Sequence, residues 1–376
     1  MKKLGITGTK AASALERLAT LEAGEAEVSR SLLLKMSQQY RRPLLAFYMS
    51  SPPRSSDRLE DFRNVPDRDP TSDALIGAIV RDVRARQTMV RELLLEDEGA
   101  EPLPFVSSMK IGDGADAVVS SISRVLGIKV ADFRAQPSPE RAFAYLRSKA
   151  EEAGLFVLLI GNLGSHHTAI DAEAFRGFAL ADTLAPFIVI NDQDARTAWS
   201  FSLMHELAHI WLGASGISGK LSDQKTERFC NEVASAFLLP EHELASVQLG
   251  SGDVNSMLQS IGDFAQQRHL SGSMVAYSLL RANLIDEKAW RALSSMFLAL
   301  WRKNRNAKKT AKGDTNGPDY YVVRRHRLGH ALLDVVARSI DEGNLTPTRA
   351  GQMLGVKPRN VAPLLNDAKT SGGRAA

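Results

Sequence analysis

The stretch FSLMHELAHIWLG, residues 201–213, decides how the rest of the chain is read. Phe201, Leu203, Leu207 and Trp211 are apolar and no Gly or Pro interrupts before Gly213, so the stretch reads as a helix. On a helix, positions i and i+4 share a face, which lets the imidazoles of His205 and His209 reach one metal ion. Glu206 lies about a hundred degrees round from His205, close enough to that face to meet a water activated by the ion. A zinc ion takes neutral imidazoles and carboxylate oxygens at about 2.0–2.2 Å and keeps one position open where it is catalytic.

A third ligand is needed, and Glu227 follows His209 in TERFCN, residues 226–231. Taken alone, Glu227 reads as an acidic residue favouring the positive end of a helix dipole. Beside the two histidines it reads as a ligand. Asn231 sits four residues on, on the same helix face, where its carbonyl would accept the second N–H of a ligand histidine and fix its tautomer. In that set Glu206 is the general base: it takes a proton from water, and the same carboxyl returns it to a leaving amine.

With Glu as third ligand the arrangement resembles the gluzincin type of metallopeptidase, and the run from Phe178 to Pro240 resembles the ImmA/IrrE family of metallo-endopeptidases. The matching stretches are FRGFALADTLAPFIVIND, FSLMHELAHIWLG and ERFCNEVASAFLLP. Of the family's pattern at the last of these, the chain keeps Glu227, Asn231, Ala234, Leu238 and Pro240. It departs at Cys230, where Ala is usual, and at Val233, where Phe is usual; both are apolar substitutions on the packing side. The likeness runs over about residues 30 to 300. It implies zinc, with manganese as the alternative metal, and cleavage of a helix-turn-helix transcriptional repressor.

Outward from the motif, Leu155–Ile160 and Pro186–Asn191 read as buried strands, and Ala174–Thr183 as either a short strand or an irregular crossing. Ser138 followed by Pro139 opens a helix reaching Ala153. Two helices should carry the motifs, Ala195–Leu212 and Gln224–Leu239, the second stopped by Pro240. Further helices are predicted over Ser72–Glu98 and Ala115–Leu126, with a polar linker from Ser50 to Asp73. The basic run Arg302–Lys312 reads as a solvated loop. Among other candidates, Arg176 and His167 are offered as substrate-binding groups, His167 from a loop shared with His166, while His326 and His330 share a helix face.

Both ends carry helix-turn-helix signals. Leu15–Met49 resembles the stretch that follows a recognition helix, but too little chain precedes Glu22 for a complete motif; DNA binding and a packing or docking role both stay open. Asp263–Leu284, with its turn at Leu270–Gly272, is similar to a structural part of the family's peptidase domain. Near the end, LTPTRAGQMLGVKPRNVAPLL (Leu345–Leu365) puts Gly355 at a tight turn, with Lys357 and Arg359 opening the second helix. A DNA reader and a docked helical hairpin are equally consistent with it.

Composition bounds the rest. The 376 residues carry a formal charge of +4, which permits nucleic-acid contact without demanding it. Cys230 is the one cysteine, so no intramolecular disulfide forms and a reducing compartment is expected. No apolar run approaches the roughly 18 residues of a membrane span. Glu16, Arg17 and Glu22 interrupt what could imitate a signal peptide after Lys2 and Lys3, so a cytoplasmic location is expected.

The expected fold is α+β, mostly α, with a zincin-like core whose small β-sheet packs on two metal-binding helices, flanked by helical N- and C-terminal parts. Its divisions would be residues 1–65 (degenerate helix-turn-helix), 66–135 (helical connection), 136–300 (peptidase) and 313–370 (C-terminal helices). The alternative function is a DNA-binding transcriptional regulator whose metal site is structural or sensory.

Overall fold

The computed structural model describes residues 28–40, 44–49, 70–97, 99–165, 168–214, 216–217, 224–249, 253–311 and 319–371. Contacts divide the chain into two units, Met1–Asp57 and Arg58–Ala376. In the first, a helix Arg30–Tyr40 leads to a single 3-10 turn, Leu44–Phe47. Its start is held by Ser29, whose Oγ accepts the Leu32 N–H at 3.3 Å. Of the linker expected over Ser50–Asp73, residues 50–69 lie outside the described residues, as does the segment before residue 28, and residues 70–73 are not linker but the first turn of a helix that begins at Pro70.

The larger unit is mostly helical with one small sheet. Its described residues begin with the long helix α1 (Pro70–Glu96), followed by α2 (Ala115–Leu126) and α3 (Pro139–Glu152). The start of α3 follows from local chemistry: Ser138 Oγ accepts the Arg141 N–H at 3.3 Å, and Pro139 occupies the first helical position without wasting a donor. Three strands come next, β1 (Phe156–Leu159), β2 (Gly177–Leu180) and β3 (Phe187–Ile190). The segment Ala174–Thr183, left open by the sequence, thus contains a strand. Helix α4 (Arg196–Leu212), the two-residue β4 (Gly216–Ile217) and α5 (Gln224–Leu238) complete the motif region.

The sheet order is β1-β3-β2-β4, with β1 parallel to β3 and the other pairs antiparallel. All twelve residues of the three longer strands are buried, and alternation divides them between two cores. Val157, Leu159, Ala179, Ile188 and Ile190 face the core built with α2–α5. Phe156, Leu158, Phe178, Leu180, Phe187 and Val189 face a second core built with α1 and the C-terminal helices. Helices on both faces explain why these strands read as unbroken apolar runs. Gln87 of α1 joins the layers, its amide donating to the carbonyls of Leu180 (3.0 Å) and Ala185 (2.8 Å).

Seven helices follow the motif region among the described residues at eight residues or longer: α6 (Val254–Gln267), α7 (Gly272–Arg281), α8 (Glu287–Ala311), α9 (Tyr320–Leu328), α10 (His330–Asp341), α11 (Pro347–Leu354) and α12 (Val361–Ser371). Two expectations are corrected here. The basic run from Arg302 is not a loop but the last turns of α8; Lys, Arg and Ala are good helix formers and no Gly or Pro intervenes before Gly313. His326 and His330 do not share a helix face, because Gly329 ends α9 and caps the start of α10.

The α9–α10 junction is pinned by a buried pair. Arg147 of α3 donates to the carbonyls of Val157 and His326, and its Nε lies 3.0 Å from Glu151. Glu151 in turn accepts the His330 N–H at 3.0 Å and faces its Nε2 at 2.9 Å. That carboxylate raises the His330 pKa against the opposing effect of partial burial. Among the described residues, no helix is long and apolar enough to cross a membrane.

Candidate metal centre

Helix α4 is apolar nearly all round, and every residue from Ser202 to Trp211 is buried, so it runs through the core rather than along its surface. The sheet lies against it through β2 and β3, and α5 and α2 pack on other sides. Trp211 anchors its C-terminal end, stacked on Phe105 with ring centroids 4.5 Å apart and donating from Nε1 to Ser121 Oγ at 3.0 Å. His205, Glu206 and His209 are therefore fixed in position by packing, at 5%, 1% and 3% exposure.

The histidines turn their Nε2 atoms toward each other at 3.1 Å. Glu227 of α5 straddles them, Oε2 standing 3.4 Å from His205 Nε2 and Oε1 3.2 Å from His209 Nε2. Asn231 Oδ1 accepts from His205 Nδ1 at 3.0 Å; because that oxygen can only accept, a proton sits on Nδ1, and Nε2 is the ring atom turned toward Glu227 and His209. One ligand atom from each of His205, His209 and Glu227 lies within 4.8 Å of the other two, and the three could hold one ion.

The spacing tests that fit. Two ligands about 2.05 Å from a tetrahedral ion stand about 3.3 Å apart. The separations of 3.1, 3.2 and 3.4 Å bracket that value. Two neutral imidazoles and one carboxylate are also the donors that zinc prefers, although such a set does not separate zinc from manganese.

The clustered groups shift one another's titration. Burial would raise the Glu227 pKa, but His205 and His209 hold it down at about 2. Burial would depress His209; the Cys230 side chain and the Glu227 and Glu206 carboxyls outweigh it and set its pKa well above the ordinary value. Cys230 is pushed up by burial. Read from the sequence as packing only, its thiol in fact lies against a candidate ligand.

Gly177, which the sequence did not single out, shapes the pocket around Glu206. A Cβ there would lie 2.9 Å from Glu206 Oε1 and 2.8 Å from the Val189 carbonyl oxygen, so only glycine lets β2 pass this close to the carboxylate. The strand's entry is set by Asn191, fully buried, whose amide donates to the carbonyls of Phe175 (2.9 Å) and Ile170 (3.2 Å). The signal was present as a glycine opening an apolar strand in FRGFAL, but its partner is 29 residues away in the chain.

Arg176, immediately before Gly177, is largely exposed and stands 3.8 Å from Asp194. It lines a cavity of about 570 Å³ with Pro139, Thr197, His269 and Trp301, outside the His-His-Glu cluster. His167 lies outside the described residues.

Residues 162–267 match the family model described as an IrrE N-terminal-like domain, a segment that spans β2, β3, α4 and α5 and contains the whole cluster. No curated protein and no solved structure matches the chain. That match supports a metallopeptidase domain of the ImmA/IrrE family over this segment.

Proposed function

We propose that the protein is a zinc-dependent endopeptidase, with manganese as the alternative metal, that cleaves a peptide bond in a helix-turn-helix repressor or antitoxin-like partner in the cytoplasm. The observation that carries the reading is the convergence of His205, His209 and Glu227 on one point at ligand spacing, with Glu206 fixed beside them on the same helix. His205, His209 and Glu227 would hold the ion, and Asn231 fixes the tautomer of His205. When bound, the ion supplies Lewis acidity, polarising a peptide carbonyl and acidifying water.

The chain's own chemistry rests on Glu206. The residue is 1% exposed, so its carboxylate works in a medium of low dielectric where proton transfer is sensitive to placement. One carboxylate oxygen takes a proton from the attacking water, and the carboxyl later gives it to the departing amine nitrogen. Gly177 leaves room for that carboxylate, and the packing of α4 against the sheet keeps it from swinging away. The choice of a repressor as substrate follows the family resemblance rather than any feature of the site.

The test uses wild type and Glu206→Gln, assayed for bound metal by elemental analysis and for cleavage of helix-turn-helix repressors encoded in its genomic neighbourhood. One equivalent of metal is expected in both proteins. Cleavage should fall by about 10²–10⁴-fold in the variant, the usual contribution of a positioned acid–base group. Full activity of Glu206→Gln would remove Glu206 from the mechanism, and failure of wild type to take up zinc or manganese would overturn the metal site.

A further inference from the structure

The C-terminal helix pair has the build of a helix-turn-helix reader, and we infer that α11 and α12 form a DNA-binding surface whose second helix enters the major groove, with Lys357 and Arg359 on phosphate and Asn366 at the base edges. The first observation is packing. Ala350, Leu354, Val361 and Leu364 are buried at 3% exposure or less, and they seat both helices against α10 in one core. Three mutually packed helices with a short turn between the last two are the framework such readers use.

The second observation is the turn. Gly355 ends α11 at φ +62°, a conformation that favours glycine, and a Cβ there would come 2.4 Å from Arg324 Nη2. Arg324 donates to the carbonyls of Leu354 (2.7 Å) and Gly355 (2.8 Å), which closes the helix end. Gly351 is needed for close approach: its Cβ would stand 2.8 Å from the Val356 carbonyl oxygen. The angle between the two helices is thus set by buried, specific contacts, as a rigid reader requires.

The third observation is what the pair presents. Lys357, Pro358, Arg359, Ala362, Pro363 and Asn366 are all exposed, while their neighbours Val361, Leu364 and Leu365 are buried. Beside them lies a concavity of about 740 Å³ completed by Tyr320, Thr348 and Gln352, with no carboxylate among the described residues that line it. The occupant that fits is a polyanion. Small side chains at Ala362 and Pro363 permit close approach to a groove, Asn366 can pair with an adenine edge, and two cations lie at the helix start where phosphates bind. The large exposed aromatic or aliphatic anchors that a protein partner would grip are absent from α12 among its described side chains.

Full-length wild type and Lys357→Ala/Arg359→Ala are titrated against a fluorescein-labelled 30-base-pair random-sequence duplex by anisotropy, from 50 mM salt upward. Wild type should bind with an affinity that falls steeply with salt. The double variant should bind at least about tenfold more weakly, with a log–log salt slope smaller by about 2, roughly one for each phosphate left without its cation. Selection from a randomised duplex pool should enrich a site with wild type, and Asn366→Ala should change that site. Thermal melts of the variants should match wild type, since all three side chains are exposed; a Lys357→Gln/Arg359→Gln pair replaces the alanine pair if its melt is lowered. The inference is overturned if wild type ignores the duplex at 50 mM salt, or if the double variant keeps its affinity and slope. A preference for single-stranded RNA over duplex would overturn it as well.

Discussion

At the scale of single residues the site depends on one carboxylate and one missing methyl. Glu206 is usable because nothing projects from β2 at Gly177, where a Cβ would fall 2.9 Å from its Oε1. Gly177→Ala should therefore displace Glu206 without touching a candidate ligand. Cleavage is expected to drop by at least about tenfold and stability by about 1–3 kcal/mol, the usual cost of overpacking, while bound metal stays at the wild-type level. Repressor cleavage, a thermal melt and elemental analysis on the same preparation check this; an unchanged cleavage rate would show that the pocket yields. The i, i+4 histidines and the Glu227–Asn231 pair were legible in the sequence because helical geometry is local. Gly177 was not, since only strand pairing brings it over α4.

At the scale of elements, α5 must be held at both ends for Glu227 to face the histidines. Its C-terminal end is gripped from outside the motif: Arg134 donates to the Leu238 carbonyl at 2.7 Å and to the Arg268 carbonyl at 2.8 Å, while Glu243 bridges Arg134 (3.3 Å) and Arg268 (2.7 Å). Burial would raise the Glu243 pKa, but Arg268 and Arg134 hold it below the ordinary carboxylate value. A carboxyl with a depressed folded pKa contributes stability that is present above its unfolded pKa and lost as pH falls through its folded one. Wild type should lose melting temperature on acidification below about pH 4.5 more steeply than Glu243→Gln, which should itself be about 1–2 kcal/mol less stable at pH 7. Melts from pH 7 to 3 decide it, and parallel curves would remove Glu243 as a contributor. The basic end of α8 belongs to this scale too: charge density read as loop, whereas helix propensity and the lack of a breaker carried the helix on to Ala311.

At the scale of the whole molecule, the sheet is covered on both faces, and the second cover comes from the end of the chain. Phe156 and Phe187, stacked at 4.8 Å, share a core with Leu332, Val336, Leu354 and Leu364. Burying each large apolar side chain stabilises by about 1.5–3 kcal/mol, against a usual net stability of about 5–15 kcal/mol. A chain ending at residue 318 should thus lose its cooperative thermal transition and elute as aggregate, even though every candidate ligand remains. A monomeric truncation that melts like wild type would show the two cores to be independent. Sequence by itself determined the helical carriers of the motif and their stops at Gly213 and Pro240, the two apolar strands and the spacing of the candidate ligands, because each rests on interactions within a few residues. Tertiary structure alone decided that α1 and the C-terminal helices cover one sheet face, that Gly177 makes room for Glu206, and that Glu151 meets His330. Those contacts join groups far apart in the chain, Glu151 and His330 being 179 residues apart, and no local periodicity encodes which distant surfaces will be buried together.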